Sequence, residues 1–241
     1  MNISKFYDFF IEPVIAFALP AFCISCESKL KERRKVICPA CFNQLPVLPE
    51  KYIEVLIKEI EQPHFDSLYI KYQFARQIQK LIHLLKYQHA ITLAKYFAER
   101  IAPIIKNNHF DYITGIPLNP IKEKERGYNQ SALIAKELGK YLNIQVNNTL
   151  IKRIKNTPSQ TKLNRDQRIE NVKNAFECNL NLIDKKIILV DDIITTGSTI
   201  NECAHVLKKQ GAKKVIAVAL ATPMDILQHN LEKDISELNS F

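Results

Sequence analysis

The chain has 241 residues, 46% of them hydrophobic and 24% charged, with 34 Lys and Arg against 25 Asp and Glu for a formal charge of +9. That balance argues against a disordered or low-complexity chain, and the length allows one large domain or one domain with a small appendage. The positive excess points to anionic partners such as phosphates, nucleotides or nucleic acid, or else serves solubility alone. It is uneven: between Ile121 and Lys173 twelve basic residues face five acidic ones, a local 12 − 5 = +7.

The first apolar stretch, Phe9–Phe22, is interrupted by Glu12, Pro13 and Pro20 and is too short to span a bilayer. Phe22 is too large to precede a cleavage site that takes small residues, so the expectation is a cytoplasmic protein with no membrane insertion. Cys23-x2-Cys26 and Cys38-x2-Cys41 follow, separated by eleven residues. Two such pairs can gather four thiolates around one ion, and a site filled by four cysteines has no open position, so the reading is structural zinc rather than catalytic zinc. Two disulfides are the alternative, disfavoured without secretion. The intervening Glu27–Ile37 is charged and shows no core pattern. Pro46-Val47-Leu48-Pro49 suits a hinge. Residues 1–50 are therefore expected to form a zinc-knuckle module with an N-terminal helix, and residues 51–241 the main domain.

The main domain alternates. A short helix is expected over Tyr52–Glu61 and a strand over Ser67–Phe74. Ile78, Leu81, Ile82 and Leu85 fit one helical face, and Ala90, Leu93, Ala94, Phe97 and Ile101 fit another. Tyr112–Pro117 reads as a strand running into a turn, and Ser131–Leu142 as a helix. Lys186–Val190 and Lys214–Leu220 are short β-branched runs on either side of a helix, Ser198–Lys209, that closes on Gly211. Strand–helix–strand repetition predicts an α/β fold, a parallel sheet flanked by helices. Cys178 and Cys203 read as lone core thiols, and the six histidines show no ligand spacing.

Ile187–Thr199 carries the chemistry. In open parallel sheets ligands bind beyond the carboxyl ends of the strands, where Asp191 and Asp192 are expected. Thr195, Thr196, Gly197, Ser198 and Thr199 then turn into a helix whose first amides and hydroxyls can surround a phosphate. The two carboxylates suit ribose hydroxyls, directly or through Mg²⁺. A Walker B strand would need a G-x-x-x-x-G-K-[ST] loop, which the sequence lacks, and a receiver domain would not fit into the residues after Asp192.

Four apolar residues, two acids, four variable residues and a glycine among hydroxyls resemble the phosphoribosyl pyrophosphate (PRPP) motif of type I phosphoribosyltransferases. Other segments narrow the resemblance. Gly115-Ile116-Pro117-Leu118-Asn119-Pro120 with Arg126-Gly127-Tyr128-Asn129-Gln130 is similar to the P-V-P-L-x-P…R-G-[FY]-N-Q signature of the ComF family. Gln160-Thr161, Arg165, Arg168, Glu170, Asn171, Val172 and Ala175-Phe176 match its Q-T-x-L-x-R-x-x-R-x-x-N-V-x-x-A-F, and the four cysteines and Leu85-Lys86-Tyr87 complete the set. Three departures stand out: Gly115 in place of a common proline, Lys162 in place of a glycine, and Gln88-His89 where a glycine often follows.

The resemblance implies a type I phosphoribosyltransferase-like domain. Asp191 and Asp192 would hold ribose hydroxyls, and Thr195–Thr199 the 5′-phosphate. Pro117, Leu118 and Arg126 would belong to a pyrophosphate loop, and Gln160, Thr161 and Arg165 to a flap over Ile154–Arg165 that could equally be a linker. It implies Mg²⁺ with PRPP or ribose 5-phosphate, and a role in natural competence that brings single-stranded DNA and competence-machinery proteins as partners. Lys152, Arg153, Lys155 and Lys162 are the expected DNA path, with Tyr128 or Tyr141 as stacking faces. The alternative is an active phosphoribosyltransferase of nucleotide metabolism or salvage. The sequence designates no catalytic residue and no acceptor.

Overall fold

The computed structural model describes residues 21–32, 35–105, 109–155 and 165–224. Gln160, Thr161, Lys162, most of the expected flap, and Phe9–Pro20 with any N-terminal helix lie outside them, as does the side chain of Arg165.

Five strands form one parallel sheet: β1 (Ser67–Gln73), β2 (Tyr112–Gly115), β3 (Gln145–Val146), β6 (Lys186–Ile193) and β7 (Lys214–Thr222), in the order β1-β7-β6-β2-β3. β4 (Lys152–Arg153) and β5 (Phe176–Glu177) pair antiparallel beside it. The α/β expectation holds. Patterning explains the order. β1 alternates buried and half-buried residues, as an edge strand does, whereas β6 and β7 are buried almost throughout, as central strands covered on both faces are. The strand period of two divides β6 between two cores: Ile188 and Val190 face one, Ile187 and Leu189 the other.

Helices α3 (Arg76–Tyr87), α4 (Thr92–Ile105) and α6 (Gln130–Leu142) supply the first core, with Leu81, Leu85, Phe97, Ile101, Ile134 and Leu138 fully buried. Helices α2 (Glu50–Lys58) and α8 (Ser198–Lys209) supply the second through Leu56, Ile200, Cys203 and Leu207. Cys178 is buried in that core as well. The last strand and helix follow the sequence closely: α8 spans the expected residues, and Gly211 beyond its end takes a left-handed φ of 91°.

Two readings need correction. Glu27–Ile37 carries core residues after all. Leu30 and Ile37 are buried with Phe42 and Leu45 in the same cluster as Phe97 and Ile101, because the cysteine module packs directly on α4. Strand β6 also runs past Val190 to Ile193, with Asp191 opposite Ala219 and Ile193 opposite Ala221. The paired acids therefore occupy ladder positions at the end of the strand, fixed by backbone hydrogen bonds rather than carried on a loop.

Gly115 has a packing reason for lacking a side chain. A Cβ there would lie 2.5 Å from the Ala132 amide nitrogen and 2.6 Å from the Ser131 carbonyl carbon, so β2 and the first turn of α6 meet backbone to backbone. Gly115→Ala is expected to cost about 1–3 kcal/mol by overpacking, measured by urea denaturation, because rigid backbone rather than a side-chain tip must yield.

Candidate functional site

β2 and β6 are neighbours, so the loops at their carboxyl ends meet. Beyond β2, Ile116–Asn119 leads into α5 (Pro120–Arg126), which starts on an Asn119 cap and ends on Gly127 in the left-handed region at φ 78°. Asn129 fixes this segment to the next helix. Its Oδ1 accepts from the Ser131 and Ala132 amides at the start of α6, and its Nδ2 donates to the Ile116 carbonyl at 2.8 Å. The turn after β2 and the head of α6 therefore form one rigid piece.

The acids sit at the floor. Asp192 is only 4% exposed and forms an ion pair through Oδ2 with Lys86, from the last turn of α3. Gln130 Nε2 donates to its Oδ1 at 3.3 Å. Ser131 Oγ donates to Asp191 Oδ1 at 3.0 Å, and the Asp192 amide donates to the same oxygen at 2.8 Å. Burial, then the adjacent Asp192 charge, pushes Asp191 up to about 7. Burial also works to raise Asp192, but the Lys86 charge and the hydrogen bonds from Lys86 and Gln130 outweigh it and hold that carboxyl below its ordinary value. Adjacent acids thus differ in protonation near neutrality.

Around this floor lies a cleft of about 190 Å³ lined by Lys86, Lys122, Arg126, Arg153, Pro117, Leu118 and Thr199 among others. Burial and the neighbouring Arg126, Lys86 and Arg153 charges lower the Lys122 pKa. Four cations crowded above two carboxylates make a receptor for a polyanion that also has hydroxyls to offer. The carboxylate pair is a hard oxygen donor set of the kind Mg²⁺ takes together with a phosphate ligand. Of the loop Thr195–Thr199, Thr199 reaches the cleft, while the Thr196 and Ser198 hydroxyls bond one another at 2.9 Å. Gly197 is left-handed at φ 74°, and the Ile60 side chain would meet any Cβ there at 2.5 Å. It offers no side chain to cap α8.

Of the expected DNA path, Lys152 and Lys155 are exposed, Lys162 lies outside the described residues, and Arg153 turns inward to the cleft with its guanidinium 5.3 Å from the Phe176 ring centroid. β4 alternates sides, which sends Lys152 and Arg153 apart. Sequence reasoning missed Lys86, Lys122, Gln130 and Ser131 as site residues. Lys86 had a signal, being in the triplet Leu85-Lys86-Tyr87. Gln130 and Ser131 directly follow the Asn129 cap, and only the docking of α6 on β2 brings them to the acids.

A second site lies in the cysteine module. The sulfurs of Cys23, Cys26, Cys38 and Cys41 all lie within 4.8 Å of one another, with Cys26 and Cys38 at 3.8 Å. Four sulfurs about 2.3 Å from a central zinc would be about 3.8 Å apart, so the cluster fits that ion. The Cys38 amide faces the Cys23 sulfur and the Cys41 amide the Cys38 sulfur, each at 3.4 Å. Hydrogen bonds from Ser28 pull Cys26 down to about 6, while sharing with the Cys26 and Cys38 sulfurs pushes Cys41 up to about 12. Thiols this close ionise together only with a cation between them.

A family model described as the phosphoribosyl transferase domain matches residues 129–239. The chain is 31% identical over 222 residues to competence protein F of Haemophilus influenzae, covering 83% of this chain and 96% of that protein. It is 28% identical over 197 residues to DNA utilization protein YhgH of Escherichia coli K12, covering 78% of this chain and 85% of that one. A solved adenine phosphoribosyltransferase superposes at a TM-score of 0.39 and 16% identity over 61% of this chain and 77% of its own, too loosely to bear on function.

Proposed function

The chain belongs to the family of competence protein F, and from that membership we propose that it binds PRPP or a related sugar phosphate with Mg²⁺ and handles incoming single-stranded DNA during natural competence. The observation that carries the reading is the cleft, in which Lys86, Lys122, Arg126 and Arg153 surround the Asp191–Asp192 pair. The acids take ribose hydroxyls and the metal, Thr195–Thr199 take the 5′-phosphate, and the cations take the remaining phosphate charge. Mg²⁺, when bound, neutralises that charge and draws off electron density from a departing pyrophosphate. The flap residues Gln160, Thr161 and Arg165 complete the site in this reading. The four cysteines hold one structural zinc in a module of residues 1–50, beside a phosphoribosyltransferase-like domain of residues 51–241. Among the described residues no helix is long and apolar enough to cross a membrane, and the proposed work is cytoplasmic.

Single-stranded DNA follows the exposed Lys152 and Lys155, and Lys162. Fluorescence anisotropy with a labelled oligonucleotide, repeated across salt concentrations, tests this. Changing Lys152, Lys155 and Lys162 to Gln removes three cations and should flatten the log–log salt slope by roughly 2, at about 0.7 per phosphate contact. Sequence preference should be slight, because backbone contacts position without reading bases. Absence of salt-dependent binding by the unaltered protein at low ionic strength would reject the DNA role.

A further inference from the structure

A tyrosine stands beside the cleft, mostly in water yet in contact with Arg126, one of the cleft's lining residues. Tyr87 closes α3 and is 57% exposed. Arg126 from α5 sets its guanidinium carbon 4.9 Å from the ring centroid and donates from Nη2 to the Tyr87 hydroxyl at 3.1 Å. His83, one turn back on α3, brings its own ring to a centroid distance of 4.9 Å.

These contacts continue into the floor of the cleft. Arg126 Nη1 donates to Gln130 Oε1 at 2.8 Å, and Gln130 in turn donates to Asp192. Lys86, the residue before Tyr87, pairs with the same carboxylate. The ring is therefore held by the contacts that set the phosphate-binding cations. A ring fixed in advance loses little freedom when a flat partner stacks on it, and an aromatic face stacks on any base. A sugar phosphate alone has no such face.

Resting on the sugar-phosphate reading above, we propose that Tyr87, flanked by Arg126 and His83, is a base-stacking ledge and that the ligand of this cleft carries a nucleobase. The base lies on Tyr87 while its phosphate reaches Lys86, Lys122, Arg126 and Arg153. A free nucleotide and the phosphorylated end of a single strand share this chemistry. Like Tyr87, the tyrosines expected to stack are not among the residues that line the cleft, but Tyr87 holds the lining residue Arg126 by both a hydrogen bond and a ring contact. Tyr128 donates its hydroxyl to the Leu85 carbonyl and meets His89, and Tyr141 is exposed near the end of α6.

Calorimetry on the full chain with two matched pairs of probes tests the ledge. The first pair is AMP and ribose 5-phosphate. The second is a 5′-phosphorylated oligothymidylate and the same strand with an abasic 5′-terminal nucleotide. In at least one pair the base-bearing probe should bind about fivefold to a hundredfold more tightly. Tyr87→Ala should erase that gap and Tyr87→Phe keep most of it, the gap being read as a ratio within each variant so that any loosening of Arg126, which weakens both members of a pair alike, cancels. A gap in the first pair identifies a free nucleotide as the ligand, and a gap in the second alone identifies a strand end. Ribose 5-phosphate binding with no gap in either pair overturns the ledge and leaves the sugar-phosphate reading intact. Failure of all four probes to bind removes that reading and the ledge with it.

Discussion

Asp191→Asn combined with Asp192→Asn is expected to weaken Mg²⁺-dependent binding of PRPP or ribose 5-phosphate by about a hundredfold to ten-thousandfold, measured by calorimetry. Each carboxylate would lose charge-assisted hydrogen bonds of about 1.5–3 kcal/mol, and every 1.4 kcal/mol is about tenfold. The change also strips Lys86, whose side chain is 18% exposed, of its counter-charge. A double variant that keeps its unfolding midpoint but no longer binds separates lost recognition from lost structure. Undiminished binding in the double variant would place the ligand elsewhere.

Asp191 adds a pH dependence of definite sign. Its carboxyl is raised from 3.8 to about 7 in the folded protein, so between those values the folded chain keeps a proton that the unfolded chain has lost. Stability from that proton is fully present below the lower value and declines as pH rises toward the upper one. A ligand that needs the ionised carboxylate must release the proton. Affinity should therefore climb about tenfold per pH unit up to about pH 7 and level off above it. Asp191→Asn should remove this component, leaving only the phosphate's own ionisation near about 6.

Mass spectrometry of the native protein should find one zinc per chain, and Cys23→Ser with Cys38→Ser should lower thermal stability sharply. Metal binding to small cysteine modules contributes about 10–16 kcal/mol in isolated peptides. If even about 4 kcal/mol of that reaches the whole chain, the midpoint falls by about 8–16 °C. The coupling follows from packing: Leu30, Ile37, Phe42 and Leu45 share one core with α4. An unchanged midpoint with no zinc would dismiss the metal site.

The residues that were legible in the sequence are those whose signals are local. α8 announced itself by its apolar spacing and by Gly211, and the two central strands by apolar runs rich in β-branched residues. β3, β4 and β5 were not legible, because a two-residue strand is defined by the backbone it pairs with and carries no period of its own. Pro120–Arg126 had an Asn-Pro start and a Gly stop, but it is a single short helix without a buried residue, so the apolar pattern is missing. In the site, Asp191 and Asp192 could be read from one stretch. Their partners Lys86, Gln130 and Ser131 come from helices far away in sequence, and only long-range packing assembles them.

The last strand of the sheet has a consequence for synthesis. β7 lies between β1 and β6, with Ser67 opposite Ile216 and Lys186 opposite Lys214. A ribosome adding about 5–20 residues per second leaves β1 waiting on the order of ten seconds for its neighbour. During that interval the hydrogen-bonding edges of β1 and β6 are both open to other chains, a hazard that closed sheets avoid. Pairings this distant in sequence also close slowly. The nascent protein should consequently depend on chaperone cover until translation is nearly finished, and a chain that stalls before Lys214 should be released in an aggregation-prone state.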